Sequence, residues 1–261
     1  MSKQDETALI NQQHWEKMVE EGCGFTRPWL NIDRDTIIQY ARGQLTSVPE
    51  PLIEIYPANI LADVEGKDVL CLASGGGQQT AVFGLLGAQV TVVDLAQGQL
   101  EGDREAAAHY GYQVTTIHAD MRDLSSIVEN SFDLVYQAPS MSYIPDVRQV
   151  YSQVARVLRT GGQYRVDAPN PAAQFVDETW DGTGYHITTP YAERIQRRED
   201  GVIEYRHYLS DIFNGLLDAG FFLQHVHEAP CHLKHDAQVH PGSWEHILMH
   251  IPWHFAIVAR K

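Results

Sequence analysis

One apolar run that stops abruptly in small residues constrains this chain more than anything else in it. The run is Asp68-Val69-Leu70-Cys71-Leu72-Ala73-Ser74-Gly75-Gly76-Gly77-Gln78-Gln79-Thr80. A strand-forming segment leads into consecutive glycines, and a helix-compatible stretch follows. A sheet that binds a nucleotide-type ligand needs this order. The strand carries the loop to the sheet's carboxyl edge, and glycine keeps Cβ atoms away from the ligand. Backbone N–H groups at the helix start then face the ligand.

Further runs repeat the arrangement. Gln89–Leu95 ends in an acid, Asp94, about 20 residues past the loop, where a ribose diol is gripped in folds of this kind. Gln113–His118 leads into Ala119-Asp120-Met121, and Ser131–Tyr136 leads into Gln137-Ala138-Pro139. Tyr164–Ala168 reads as a fifth strand ending at Pro169-Asn170-Pro171. Helical patterns cover Gln78–Leu86, Gly98–Tyr110 and Val147–Leu158, the last closed by Gly161-Gly162 as a glycine C-terminus. Alternation of this kind predicts an α/β fold with a Rossmann-like, doubly wound, mostly parallel sheet.

The ligand class follows from what is missing. A dinucleotide loop carries a third glycine where this chain has Thr80. There is no phosphate-loop motif, and no Lys or Arg lies between Cys71 and Gly102 to neutralise a pyrophosphate. A ligand with a ribose and a base but no phosphates is favoured, and S-adenosylmethionine fits.

On these residues the chain resembles the class I S-adenosylmethionine-dependent methyltransferases, over about Asp63–Pro171. Ala73-Ser74-Gly75-Gly76-Gly77 is similar to the family's glycine loop around the methionine part of the cofactor. Asp94 matches the acid that holds the ribose hydroxyls, with Leu95 against the adenine. Asp120 and Met121 match the pair that meets the adenine amino group and face. Phe132-Asp133-Leu134-Val135 with Gln137 resembles the fourth-strand motif, and Leu158–Gln163 the turn before the fifth strand. The resemblance implies S-adenosylmethionine as cofactor, S-adenosylhomocysteine as product, and Ala73, Ser74, Gly75, Gly77, Asp94, Leu95, Asp120, Met121 and Gln137 as cofactor-binding residues. It departs from the family at Cys71, often an acid that helps hold the methionine amino group, and at Ala73, often glycine. The contact expected of that acid must come from elsewhere or from backbone carbonyls.

The 261 residues accommodate one methyltransferase domain: a helical cap or lid over 1–62, a cofactor core over 63–171, an acceptor-pocket insertion over 172–208, and a final helix with an antiparallel hairpin over 209–261. In the cap, helices are expected over Glu6–Glu21 and Ile32–Arg42, with Trp15, Phe25 and Trp29 packed inward or forming a lid, and Pro49-Glu50-Pro51 as a linker. In the insertion, Trp180, Tyr185, His186 and Tyr191 either line an acceptor pocket or pack an antiparallel extension. Ile212–Leu217 is the final helix, and Phe221–His227 and Trp253–Ala259 are the closing strands.

Composition narrows the partners. Lys and Arg number 19 against 34 Asp and Glu, a formal charge of −15, which repels phosphate backbones. A small-molecule methyl acceptor, neutral or cationic, is expected, with no nucleic acid and no membrane partner; nothing in the pattern specifies an oligomeric state. Three scattered cysteines, Cys23, Cys71 and Cys231, suggest no disulfide framework. The start Met1–Glu6 lacks a signal-peptide core, and no apolar run approaches the ~20 residues that span a bilayer, so a cytoplasmic protein is expected. Histidines cluster late, at His225, His227, His232, His235, His240, His246, His250 and His254. Without a zinc-protease motif among them, no metal site is assigned.

Methyl transfer from a sulfonium needs alignment above all, and a base only where the acceptor must lose a proton. The chain has no nucleophile elbow and no triad spacing. Tyr143, just past the fourth strand, is the candidate catalytic residue, with the alternative that it walls the pocket; Gln137 and Asn170 are further acceptor-side candidates. Two other functions stay open: a nicotinamide-dependent oxidoreductase, and a protein that binds S-adenosylmethionine without transferring methyl.

Overall fold

Strand β1 (Asp68–Leu72) is flanked by β2 (Gln89–Asp94) on one side and β4 (Phe132–Gln137) on the other, both parallel to it. Outside these lie β3 (Val114–His118) and β5 (Leu158–Pro169), also parallel. The sheet continues antiparallel through β9 (His254–Arg260) to the edge strand β8 (Phe222–Glu228), giving the order β3-β2-β1-β4-β5-β9-β8. This is a computed structural model, and it describes residues 6–228 and 239–261. Cys231, His232 and His235, and the first residues of the chain, lie outside them.

Alternate residues of β1 feed two cores. Leu70 and Leu72 pack into one with helix α6 (Val147–Val157), and Val69 and Cys71 into the other with the N-terminal segment, all four having no solvent exposure. A strand covered on both faces is apolar throughout, which is why it is so visible in the sequence. Helices α4 (Gln79–Leu85) and α5 (Gln97–Tyr110) follow β1 and β2, as expected to within a residue. Helix α6 (Val147–Val157) starts at an Asp146 N-cap and buries Val147, Val150, Tyr151, Val154 and Val157. That spacing keeps one face on the sheet, each large side chain contributing about 1.5–3 kcal/mol of burial.

Three local expectations are corrected. Gly161-Gly162 does not cap α6: the helix ends at Val157, Leu158 is already extended, and its N–H bonds to Val154 O. Instead the pairing slips from Phe132↔Leu158 to Leu134↔Gln163, so the glycines form a bulge within β5. Gly161 has φ +82°, and a Cβ on Gly162 would stand 2.9 Å from Arg159 O, so both the bulge and a helix cap draw on the same glycine property. The Pro49–Pro51 segment is not a linker, since a short helix, α3 (Glu50–Ile53), begins there on the Pro49 N-cap. Phe25 does not pack inward but is 71% exposed.

The N-terminal helices α1 (Glu6–Glu20) and α2 (Arg34–Ala41) form where expected, α2 capped by Asp33, whose side chain accepts from Thr36 N at 2.9 Å. Within 172–208, beyond the short α7 (Pro171–Gln174), a two-stranded antiparallel ribbon of β6 (Ile195–Arg197) and β7 (Ile203–Tyr205) forms. Helix α8 (Leu209–Asp218) precedes β8, and α9 (Trp244–Leu248) precedes β9. No helix among the described residues is long and apolar enough to cross a membrane.

Candidate functional site

The glycine loop sits at the carboxyl end of β1 in a close-fitting bed. Asp94, at the tip of β2, accepts from Gly75 N at 3.0 Å through Oδ2 and from Ala96 N at 2.9 Å through Oδ1. A Cβ on Gly75 would stand 2.5 Å from Gln99 Cβ and 2.9 Å from Asp94 Oδ2, so only glycine admits this approach. Burial pushes the Asp94 carboxyl up to about 6, against the pull of the Ala96 and Gly75 N–H groups. Each carboxylate oxygen keeps acceptor capacity beyond these single bonds.

On the far side of the loop, α5 touches it backbone to backbone. A Cβ on Gly77, whose φ is +78°, would lie 2.4 Å from Gly102 O. The other α5 glycine, Gly98, makes room for α1: a Cβ there would meet Glu16 and Val19 at 2.9 Å. Ala73, at the position where the family often has glycine, takes φ +46°, a left-handed conformation uncommon for a residue with a Cβ.

Several expected contact residues have their polar groups engaged by the protein. Ser74 is buried, donates to Leu72 O at 2.9 Å and accepts from Ala138 N at 3.2 Å, tying β1 to the end of β4. Gln137 has no exposure; its Nε2 donates to Ser140 Oγ at 2.9 Å and Met141 Sδ at 2.9 Å, and its Oε1 accepts from the Tyr164 hydroxyl. Its side chain therefore braces the turn after β4. Asn170 is likewise spent on structure, capping α7 through Ala172 N and donating to Pro252 O at 2.6 Å. Asp120 is gripped by Arg122, whose Nη2 lies 2.6 Å from Asp120 Oδ2. Met121 and Leu95 are half-buried beside these tips, and Leu95 O lies 2.8 Å from His118 Nε2.

The N-terminal segment closes over the loop. Trp29 N donates to Gly77 O at 3.2 Å, and Gln78 Nε2 donates to Gly24 O at 2.9 Å and Arg27 O at 3.1 Å. Helix α1 bridges three elements. Buried Asn11 exchanges bonds with Ile203 of β7, donating to its O at 3.0 Å and accepting from its N at 3.1 Å. Glu16 accepts from Gln97 N and Gly98 N, and Trp15 meets Tyr143 edge-on with ring centroids 5.8 Å apart. Burial raises the Tyr143 phenol well above its ordinary value, Glu204 adding to the effect. A phenol shifted this way keeps its proton near neutral pH and can donate a hydrogen bond.

The other aromatic and histidine candidates gather elsewhere. Trp180 and Tyr185 pack against His246 and His250, with Tyr185 Oη 2.6 Å from His246 Nδ1. His186 pairs with Asp181 at 2.6 Å, and Tyr191 stacks on Tyr208 with centroids 4.4 Å apart. Among the described residues, no group of three His, Cys, Asp or Glu is placed to hold a metal ion.

One residue went unremarked in the sequence. Asp103, on α5 directly beneath the loop, is fully buried and accepts from Gly77 N at 2.9 Å and Thr80 Oγ1 at 2.6 Å. Its only sequence signal is its place beside Gly102, the residue that lets α5 reach the loop.

Sheet order, glycine loop and acid at the β2 tip define the Rossmann-like methyltransferase fold. Residues 70–166 match the family described as a methyltransferase domain. The uncharacterized methyltransferase YbaJ of Bacillus subtilis is 29% identical over 89% of this chain and 94% of its own length. A solved S-adenosylmethionine-dependent methyltransferase from Mesorhizobium loti shares the fold at TM-score 0.63, with 24% identity over 78% of this chain and 94% of that one. The 1,6-didemethyltoxoflavin-N1-methyltransferase of Burkholderia thailandensis, solved with S-adenosylhomocysteine, covers the whole chain and 91% of its own, at TM-score 0.61 and 17% identity. The chain thus carries a methyltransferase domain over residues 70–166 and is similar to methyltransferases along most of its length.

Proposed function

We propose that the enzyme methylates a small-molecule acceptor seated beyond the tips of β4 and β5, under the N-terminal cap. The observation that carries this reading is the pairing of Asp94 with Gly75. A half-buried carboxylate with acceptor capacity to spare stands beside a backbone that no Cβ obstructs. That cradle suits a nucleoside ribose, and the absence of any Lys or Arg from 72 to 101 suits a cationic sulfonium better than a phosphate. When bound, S-adenosylmethionine supplies an electrophilic methyl whose leaving group is a neutral thioether.

The chain's own contribution is placement. Asp94 takes the ribose hydroxyls, and Ala73, Ser74, Gly75 and Gly77 line the methionyl end with backbone groups. Leu95 and Met121 flank the base, whose amino group would share Asp120 with Arg122. Gln137 acts by bracing Ser140 and Met141, which in turn set the position of Tyr143. Tyr143 serves as a neutral hydrogen-bond donor that orients the acceptor. The cap segment excludes water. Alignment of two bound reactants can lower the barrier by ~7–11 kcal/mol, so no strong catalytic base is required.

Screening acceptor panels by release of S-adenosylhomocysteine tests the reading. Turnover of a small neutral or cationic molecule supports it. Turnover confined to nucleic acid or protein overturns it, and tight cofactor binding without any turnover favours the non-catalytic alternative.

A further inference from the structure

Asp103 is the charged residue of the loop's bed whose role the fold alone does not explain. A fully buried acid is costly, and this one is incompletely compensated. Oδ1 receives Gly77 N–H and the Thr80 hydroxyl, whereas Oδ2 has no hydrogen-bond partner among the described residues. Groups kept buried at such a cost are commonly retained for function.

Its bonds tie the last glycine of the loop to the first turn of α4. Gly77 is fixed from both sides, its N–H by Asp103 and its carbonyl by Trp29 N. Thr80, in the first turn of α4, is fixed by the same carboxylate, so Asp103 sets the angle at which the loop enters that helix. The approach depends on Gly102, since a Cβ there would lie 2.9 Å from the Gly76 carbonyl. Strand β1 offers no substitute charge at its loop end: Asp68 stands at the opposite end, paired with Arg159, and burial keeps the Cys71 thiol protonated.

We propose that Asp103 is the positioning acid of the glycine loop. Its carboxylate, delivered from α5, holds Gly77 and Thr80 and sets how tightly the site grips the methionyl end of the cofactor. Asp94 grips the ribose independently. The assignment rests on the cofactor placement proposed above. It answers the question raised by Cys71, because the carboxylate absent from the strand arrives from the neighbouring helix.

The two grips are separable with two ligands. S-Adenosylhomocysteine reaches both ends of the site, and adenosine reaches only the ribose and base end. By calorimetric titration, Asp103→Ala should weaken S-adenosylhomocysteine about tenfold or more, as expected for losing a hydrogen bond to a charged group. Adenosine affinity should be unchanged. Thr80→Val, which removes one donor with little change of shape, should weaken S-adenosylhomocysteine by a smaller factor and again spare adenosine, and it decides the matter if the alanine variant does not fold. Equal losses for both ligands, or no loss for S-adenosylhomocysteine in a folded variant, would overturn the assignment. A wild-type protein that binds neither ligand would instead overturn the cofactor placement itself.

Discussion

Glu16 and Gly98 lock the N-terminal helix to the cofactor core: the Glu16 carboxylate accepts from Gly98 N at 3.0 Å, and from Gln97 N at 2.6 Å. Helix α5 has Ala96 at its N-cap and thus no side-chain cap of its own. A carboxylate from another helix satisfies two of the N–H groups that a helix start leaves open. Glu16→Ala should therefore cost about 1 kcal/mol of stability. It should also speed amide exchange in α1 while leaving β1 and β4 protected; unchanged exchange in α1 would show that Asn11 and Trp15 hold the helix without it.

Asp94→Ala removes the acid at the β2 tip. The expected loss of cofactor affinity is ~1.5–3 kcal/mol, the value of a charge-assisted bond. Titrating S-adenosylhomocysteine into both proteins measures it. Equal affinities would reject the ribose assignment.

Two raised carboxyl groups make the protein sensitive to pH. Burial lifts Asp94 to about 6 and Asp103 to about 7, from an ordinary value of 3.8. Between the ordinary and the raised values the folded state holds more protons than the unfolded chain, so the free energy of unfolding falls as pH rises. The contribution of this pair to the ligand-free protein should decline from about pH 4 to about pH 7 and level off above. The neutral Asp103→Asn variant should regain roughly 2–4 kcal/mol relative to wild type across that window. The groups facing Asp103 are the Gly76 and Gly77 N–H groups, Thr80, Cys71, Asp94 and Tyr112, and none of them is cationic. Binding of the cationic cofactor favours the ionised forms, so its affinity should rise with pH through the same range. Denaturation midpoints and titrations at several pH values test both slopes.

How legible was this in the sequence? The strands were, β1 most plainly, because burial on both faces leaves Val69–Leu72 as an unbroken apolar run. Asp94 was, because its distance from the glycine loop is set by one helix and one strand. What could not be seen was long-range bonding. Gln137 looks like a tip residue until Tyr164, from β5, takes its carbonyl oxygen. Asp103 looks like an ordinary helix acid until Gly102 brings the loop within reach. Gly161-Gly162 read as a helix end because a bulge and a cap place the same demand on φ. The insertion's aromatics were ambiguous for a different reason: only tertiary packing sets Trp180 and Tyr185 against His246 and His250.

Ala73 tests the departure from the family's glycine. Its left-handed backbone, φ +46°, costs about 1 kcal/mol for a residue with a Cβ. Ala73→Gly relieves that cost but loosens the unfolded chain by a similar amount, so stability should barely change. Ala73→Val, branched at Cβ, should destabilise by more than about 1 kcal/mol. Urea denaturation compares the three, and a valine variant as stable as wild type would mean the loop readily adopts another conformation.

The most direct measurement is ligand-dependent thermal stability of the purified protein, with S-adenosylmethionine, S-adenosylhomocysteine and NAD side by side. A nucleoside cradle built on Asp94 and Gly75, without a cation for a pyrophosphate, predicts a rise in melting temperature with the first two and none with NAD. A rise with NAD alone would contradict it.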